Sequence, residues 1–287
     1  MDDLTYTLRQ LCLRNRDGSH ATQADRQRSL SLAARQLREA GFRQMRASSL
    51  KGKHVEALLQ RWQAEGLSAG TLKNRMAHLR WWAEKVGKAG ILPADNTKLG
   101  IPERHHVPHE NKAKELDDKL DRITDPHVRM NLRLQAAFGL RREESIKFQP
   151  RYADRGDHIA INGSWAKGGR DRTVPITTPE QRTVLDEAHR LTGLGSLIPA
   201  NKTYIQQRHV YDGRCKAAGL SNMHGLRHRY AQMRYEALTG WKAPAAGGPT
   251  KALFSASQRT IDQHARQQIS RELGHERLKV TSIYLGT

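Results

Sequence analysis

Through the first hundred residues, apolar positions recur at helical spacing. Over 24–40, Leu30, Ala33, Ala34, Leu37 and Ala40 fall on one face, and Gly41 supplies a stop. Over 53–65, Val55, Leu58, Leu59 and Trp62 share a face ahead of Gly66. Ser68 stands where an N-cap belongs, before Leu72, Met76, Leu79, Ala83 and Val86, an unbroken 4-3-4-3 spacing. The pattern predicts three helices in an all-helical N-terminal domain over 1–103. Lys73, Arg75, Arg80 and Lys85 occupy the other positions of the third helix. A solvated polar face is the ordinary reading of such a run. A helix laid against DNA is the functional one, and it makes Lys73, Arg75 and Arg80 candidate DNA contacts.

Pro93, Pro102 and Pro108 then interrupt the chain, which predicts an interdomain linker over 104–113. His105, His106 and His109 lie there. Their spacing is not helical and no carboxylates frame them, so they are not read as a metal site. Asp125-Pro126 opens a helix that runs over 128–140. At Ile146 the period shortens. Segments 146–148, 158–161 and 172–176 read as three short strands, separated by Arg155-Gly156-Asp157 and Lys167-Gly168-Gly169. From Thr178 the chain is helical again, and 243–249 is an Ala/Gly/Pro loop. The expected fold is mainly α, with a small antiparallel three-stranded sheet in an α+β second domain over 114–287.

Charge narrows the possible partners. The 287 residues include 49 Lys and Arg against 29 Asp and Glu, a net charge of +20. Residues 1–110 hold 19 basic and 11 acidic side chains, and the remainder hold 30 and 18. An excess spread over both halves suits a long polyanion, so double-stranded DNA is the expected partner, bound with steep salt dependence. Two cysteines, Cys12 and Cys215, cannot build a disulfide framework and do not stand at zinc-ligand spacing. The acidic start is no signal peptide, and no stretch approaches the ~20 apolar residues of a membrane span. A cytoplasmic protein without membrane contact is expected.

Four local patterns carry candidate chemistry. Gly139-Leu140-Arg141-Arg142-Glu143-Glu144 sits at a helix junction, and Lys167 sits in a Gly-rich turn between strands. His224-Gly225-Leu226-Arg227 sets His and Arg three apart on one helix face. Leu273-Gly274-His275 is followed by Tyr284. Each alone has an ordinary structural reading. In this order, over 112–287, they resemble the tyrosine recombinase (phage integrase) family, with its GLRxxE, HxLRH and LGH words. The resemblance implies a catalytic set of Arg141, Lys167, His224, Arg227, His275 and Tyr284. Glu144 supports that set from behind, and the N-terminal domain forms a C-shaped clamp on DNA with the catalytic one.

The reaction so implied is attack of the Tyr284 oxygen on a DNA phosphodiester, which leaves a 3′-phosphotyrosyl link. Two non-bridging oxygens gain charge, and Arg141 and Arg227 suit them because guanidinium stays charged and binds in a planar fork. Losing one such donor costs about 3–4 kcal/mol of barrier. A free phenol titrates near 10, so a cationic pocket must activate Tyr284. Lys167 is the implied acid for the leaving 5′-hydroxyl. His224 and His275 donate hydrogen bonds or carry protons. The motif phase selects Arg141 and Glu144 over their neighbours Arg142 and Glu143. Arg229, just past the second arginine, is a further candidate DNA contact. The energy of the broken bond is kept in the phosphotyrosine, so no cofactor, ATP or metal is expected.

Two features depart from the family pattern. The interval between Arg227 and His275 is long, which predicts an inserted loop or small lobe around 239–258, with DNA or a neighbouring subunit as its expected contact. Only Leu285, Gly286 and Thr287 follow Tyr284, which suggests a truncated chain or an assembly held by other contacts. The expected function is a site-specific recombinase or integrase of a bacterial mobile element or prophage. It is expected to act as a homotetramer on paired sites and to be a monomer or dimer off DNA. Accessory DNA-bending or directionality proteins are possible partners. The alternatives are a type IB topoisomerase-like relaxing enzyme and a non-catalytic DNA-binding regulator of the same fold.

Overall fold

The computed structural model describes residues 2–103, 110–166 and 168–287. The chain divides into two units, Met1–His105 and His106–Thr287. His105, His106, His109 and Lys167 lie outside the described residues.

In the first unit, side-chain caps set the helix starts. The Asp2 carboxylate accepts from the Thr5 N–H at 2.8 Å and opens α1 (Asp3–Arg14). Ser19 caps α2 (His20–Glu39), and Ser68 caps α4 (Ala69–Lys85), with α3 (Gly52–Ala64) between them. Helices α2 to α4 are those the apolar spacing predicts. Helix α1 is not among them, although its Leu4, Leu8 and Leu11 stand at the same 4-3 spacing and join the same core. Leu30, Leu37, Leu58, Trp62, Met76 and Trp82 fill the core. Both buried indoles have partners. Trp62 donates to Gln36 Oε1 and Trp82 to the Ala47 carbonyl, each at 2.8 Å.

The second unit is organised around α5 (Pro126–Phe138), which is capped by Asp125 and packs against later helices. Gly139, at φ 61°, stops it in the left-handed region. Only glycine fits there, since a Cβ would lie 2.5 Å from Tyr230 Cδ1. Two short helices follow, α6 (Arg142–Ile146) and α7 (Pro150–Ala153). Then β1 (His158–Ile161) pairs antiparallel with β2 (Arg172–Pro175), with Ile159 opposite Val174. Helices α8 (Pro179–Thr192), α9 (Tyr204–Ala217), α10 (Gly225–Thr239), α11 (Ala256–Glu272) and α12 (Leu278–Leu285) complete the unit. Phe138, Phe148, Ile159, Val174, Leu185, Tyr235 and Leu273 share one core. Val128, Leu132, Ile146, Tyr211 and Leu226 form a second. Among the described residues no helix is long and apolar enough to cross a membrane.

The sheet corrects one expectation. Among the described residues it has two strands, not three. Residues 146–148 are not extended, because the Glu144 side chain accepts from the Arg141 N–H and starts a helical turn. Ile146 and Phe148 then point into different cores, so their two-residue spacing is not one strand face. The segment expected as an inserted loop or small lobe is a structured loop. Gly240 ends α10, and two 3₁₀ turns, Pro244–Ala246 and Lys251–Leu253, fold back. Ala243 and Phe254 are buried, and Trp241 packs on the Phe254 ring at 5.5 Å.

Gly139→Ala tests the junction that precedes the candidate site. The methyl would meet Tyr230 in a backbone region that disfavours side chains, so a loss of about 2–4 kcal/mol is expected in urea unfolding. A loss below about 0.5 kcal/mol would show that the junction yields freely.

Candidate active site

A buried carboxylate is the hub of the site. Glu144 has no exposed surface. Arg172 grips it with two bonds of 2.9 and 2.7 Å. Arg141 adds a guanidinium bond to Oε1 and its own backbone N–H to Oε2, each at 2.7 Å. Arg227 Nη1 stands 4.0 Å from Oε2. Burial alone would raise the Glu144 pKa, but the hydrogen bonds and charge of Arg172, then the charges of Arg227 and Arg141, outweigh it. They hold the group at about 2. Arg142 and Glu143 face elsewhere, Arg142 to Asp212 at 2.7 Å and Glu143 to Lys147 at 2.6 Å.

Arg227 is also fully buried. Its Nη atoms donate to the carbonyls of Gly139 and Leu273, while Nε has no partner. Burial, then the charge of Arg141, lowers its pKa to about 10, so it stays cationic at neutral pH. Its Cζ lies 5.8 Å from the centre of the Tyr284 ring. Helix α12 carries Tyr284, which is 6% exposed. The phenol oxygen is 3.0 Å from His224 Nε2, at the N-terminus of α10. His275 stacks on the ring at 5.1 Å, and His228 lies against it at 4.4 Å. His275 Nδ1 is 3.0 Å from the Thr281 hydroxyl, and its Nε2 is buried without a partner. If Thr281 donates that bond, the His275 proton sits on Nε2 and is free to be given.

Arg141 and His275 also line an open cleft of about 730 Å³. Arg172, Arg170, Arg271 and Arg277 line it with them. Such a concentration of guanidinium groups suits an anionic strand. Lys167, outside the described residues, falls in sequence between β1 and β2, and the chain on either side of it forms a turn. The base of that turn is pinned where the Asp171 carboxylate accepts from the Gly163 N–H at 2.5 Å.

The structure thus brings together Arg141, Glu144, His224, Arg227, His275 and Tyr284. The candidate DNA contacts Arg75, Arg80 and Arg229 have partners within their own units. Arg80 is engaged inside the first unit, donating to the Pro93 carbonyl at 3.0 Å and to Asn96 at 2.8 Å. Arg75 lies over the Trp62 ring at 5.0 Å, and Lys73 is half-buried. Arg229 pairs with Glu115.

Comparison with known proteins places this geometry. The family model described as "Phage integrase, N-terminal" matches residues 1–91, and that described as "Integrase" matches 103–233. The chain belongs to the phage integrase family of tyrosine recombinases. No curated protein matches it. Solved structures share the fold. A lambda integrase dimer bound to a core site is 15% identical, with TM-score 0.62, and the match covers 98% of this chain and 94% of that one. XerH recombinase in a post-cleavage complex with difH is 17% identical, with TM-score 0.62 and coverage of 99% and 81%. A lambda integrase tetramer on a Holliday junction is 15% identical, with TM-score 0.56 and coverage of 94% and 78%.

Two members of the site are not marked by the sequence motifs. Arg172 shares a strand face with Val174, which is buried. The two-residue alternation therefore pointed Arg172 inward, where a charge needs a buried partner. Gly274 must be glycine, at φ 63°, because a Cβ would lie 2.9 Å from Arg172 Cδ. Gln232, one turn past His228, donates to the Tyr284 carbonyl at 3.0 Å, and no local sequence word marks it. Among the described residues no cluster of His, Cys, Asp or Glu is arranged to hold a metal.

The histidines around Tyr284, of which His228 is buried, predict an acid-sensitive fold. Loss of water around the ring, then neighbouring positive charge, lowers His224, and the same loss of water holds His228 near 4 and His275 near 3. Unfolded, each takes a proton near 6.5. Between those values the unfolded chain binds more protons, so stability falls as pH drops below about 6.5. Glu144, at about 2, adds stability that is present above its usual range near 4.5 and lost as pH falls towards 2. Thermal unfolding from pH 7.5 to 5 should show a steadily falling Tm. A flat Tm over that range would mean that the histidines protonate without cost.

Proposed function

We propose that this chain is a site-specific DNA recombinase that cleaves and rejoins DNA through a 3′-phosphotyrosyl bond to Tyr284. The observation that carries the reading is the 3.0 Å contact between the Tyr284 hydroxyl and His224 Nε2, beside the Arg227 cation. Loss of water around its ring, and then the arginines, lower the His224 pKa, so it is neutral and can accept a proton.

The step is an in-line displacement. Tyr284 Oη attacks the phosphorus and its proton passes to His224. The O–P bond forms as the P–O5′ bond breaks. Lys167 gives a proton to the 5′-oxygen, leaving a free 5′-hydroxyl and a 3′-phosphotyrosine. Arg141 and the unpartnered Nε of Arg227 neutralise the non-bridging oxygens, with His275 Nε2 as a further donor. Attack by a 5′-hydroxyl reverses the step, and attack by one from another duplex exchanges strands. The phosphodiester energy is retained, so the step consumes no ATP, and the two arginines answer the phosphate charge without calling on a metal.

The arginine-lined cleft receives the strand, and the two units close on the duplex as a C-shaped clamp, with 1–103 as the DNA-gripping domain. By analogy with the tetramer of lambda integrase on a Holliday junction, four copies act on paired sites. A bacterial mobile element or prophage is the natural source of such an enzyme.

A nicked suicide substrate in EDTA tests the chemistry. Wild type should accumulate a covalent protein–DNA adduct and Tyr284→Phe should form none. Adduct from Tyr284→Phe would place the nucleophile elsewhere, and loss of wild-type cleavage in EDTA would restore a metal mechanism. Arg227→Ala, in protein shown to be folded, should cut the cleavage rate by roughly 10²–10³-fold while DNA affinity changes far less. Equal loss of both would reduce Arg227 to a binding residue.

A further inference from the structure

The segment between α10 and α11 meets the chain just beyond the nucleophile. Trp241 Nε1 donates to the Tyr235 hydroxyl at 3.2 Å, and Tyr235 donates to Asp262 Oδ1 at 2.6 Å. Arg266 Nε donates to the same oxygen at 2.7 Å. The other edge of that guanidinium, Nη1, donates to the Gly286 carbonyl at 2.9 Å. Asp262 is 2% exposed, so its charge is held by these two donors rather than by water. Gly286, at φ 78°, lies directly on the Pro244–Ala246 turn, where a Cβ would stand 2.7 Å from the Ala245 nitrogen.

An eight-residue helix such as α12 is unstable alone. Its position, and so that of the Tyr284 hydroxyl, depends on its anchors. A cation at a helix C-terminus also complements the helix dipole. We infer that Arg266, held by Asp262 and backed by the 240–255 segment, is a positioning residue that fixes the nucleophile helix for attack within its own chain. This rests on the reading of Tyr284 as nucleophile. It also accounts for the long interval before His275, since the extra chain forms a seat for α12.

The test compares full-length wild type, Arg266→Ala and Gly286→Ala in single-turnover cleavage of the suicide substrate across DNA concentrations. Gly286→Ala leaves the Asp262–Arg266 pair in place and disturbs only the seat, so it reports even if Arg266→Ala fails to fold. The rate at saturating DNA should fall at least about tenfold in each folded variant, because a displacement of about 1 Å can cost 10²-fold. The half-saturating DNA concentration should stay within about threefold. Rates within about twofold of wild type, a rise in rate, or parallel loss of rate and affinity would overturn the inference. If wild type itself forms no adduct, the reading of Tyr284 fails instead. Hydrogen exchange over 280–287 then decides: exchange at least about tenfold faster in the variants keeps the clasp, and unchanged exchange removes it.

Discussion

A single buried carboxylate organises the catalytic unit. Removing Glu144 from water costs several kcal/mol, and the structure meets that cost with Arg172 and Arg141, while Arg227 stands close by. The arrangement solves two problems together. Three guanidinium groups could not crowd into one pocket without an anion among them. A pocket meant for phosphate must nevertheless keep a surplus of positive charge. One carboxylate among three arginines satisfies both conditions.

From this hub the other features follow. Loss of water around their rings, and after it the charge of the arginines, keeps His224 and His275 from taking protons, so both stay available for hydrogen bonding at neutral pH. Carbonyls at two helix ends, Gly139 and Leu273, complete the Arg227 site, and each lies at a glycine-marked break in the chain. The GLR and LGH words are thus structural as well as chemical. Each ends a helix, and each turns a carbonyl towards the same guanidinium.

Much of this was legible in the sequence. Helical spacing gave three of the first unit's helices, because their apolar stripes are uninterrupted. The ordered Arg, His-x-x-Arg, His and Tyr pattern pointed to residues that the structure does bring together. What escaped had physical reasons. Residues 146–148 resemble a strand only if one core is assumed, and there are two. Arg172 was hidden because a strand arginine is ordinarily exposed. The 240–255 segment reads in the sequence only as a loop, since an Ala/Gly/Pro composition shows no periodicity to mark Ala243 and Phe254 as its buried anchors. Lys167 lies outside the described residues, and its role rests on the family resemblance.

The central claim is that the Tyr284 oxygen is the nucleophile in this arginine field. Proteolysis of the covalent complex with trypsin, followed by nuclease digestion and mass spectrometry, would locate the nucleotide. The account predicts a 3′-phosphonucleotide on the peptide spanning 280–287, linked through the Tyr284 oxygen. A nucleotide on any other residue, or a 5′-phosphate linkage, would contradict it.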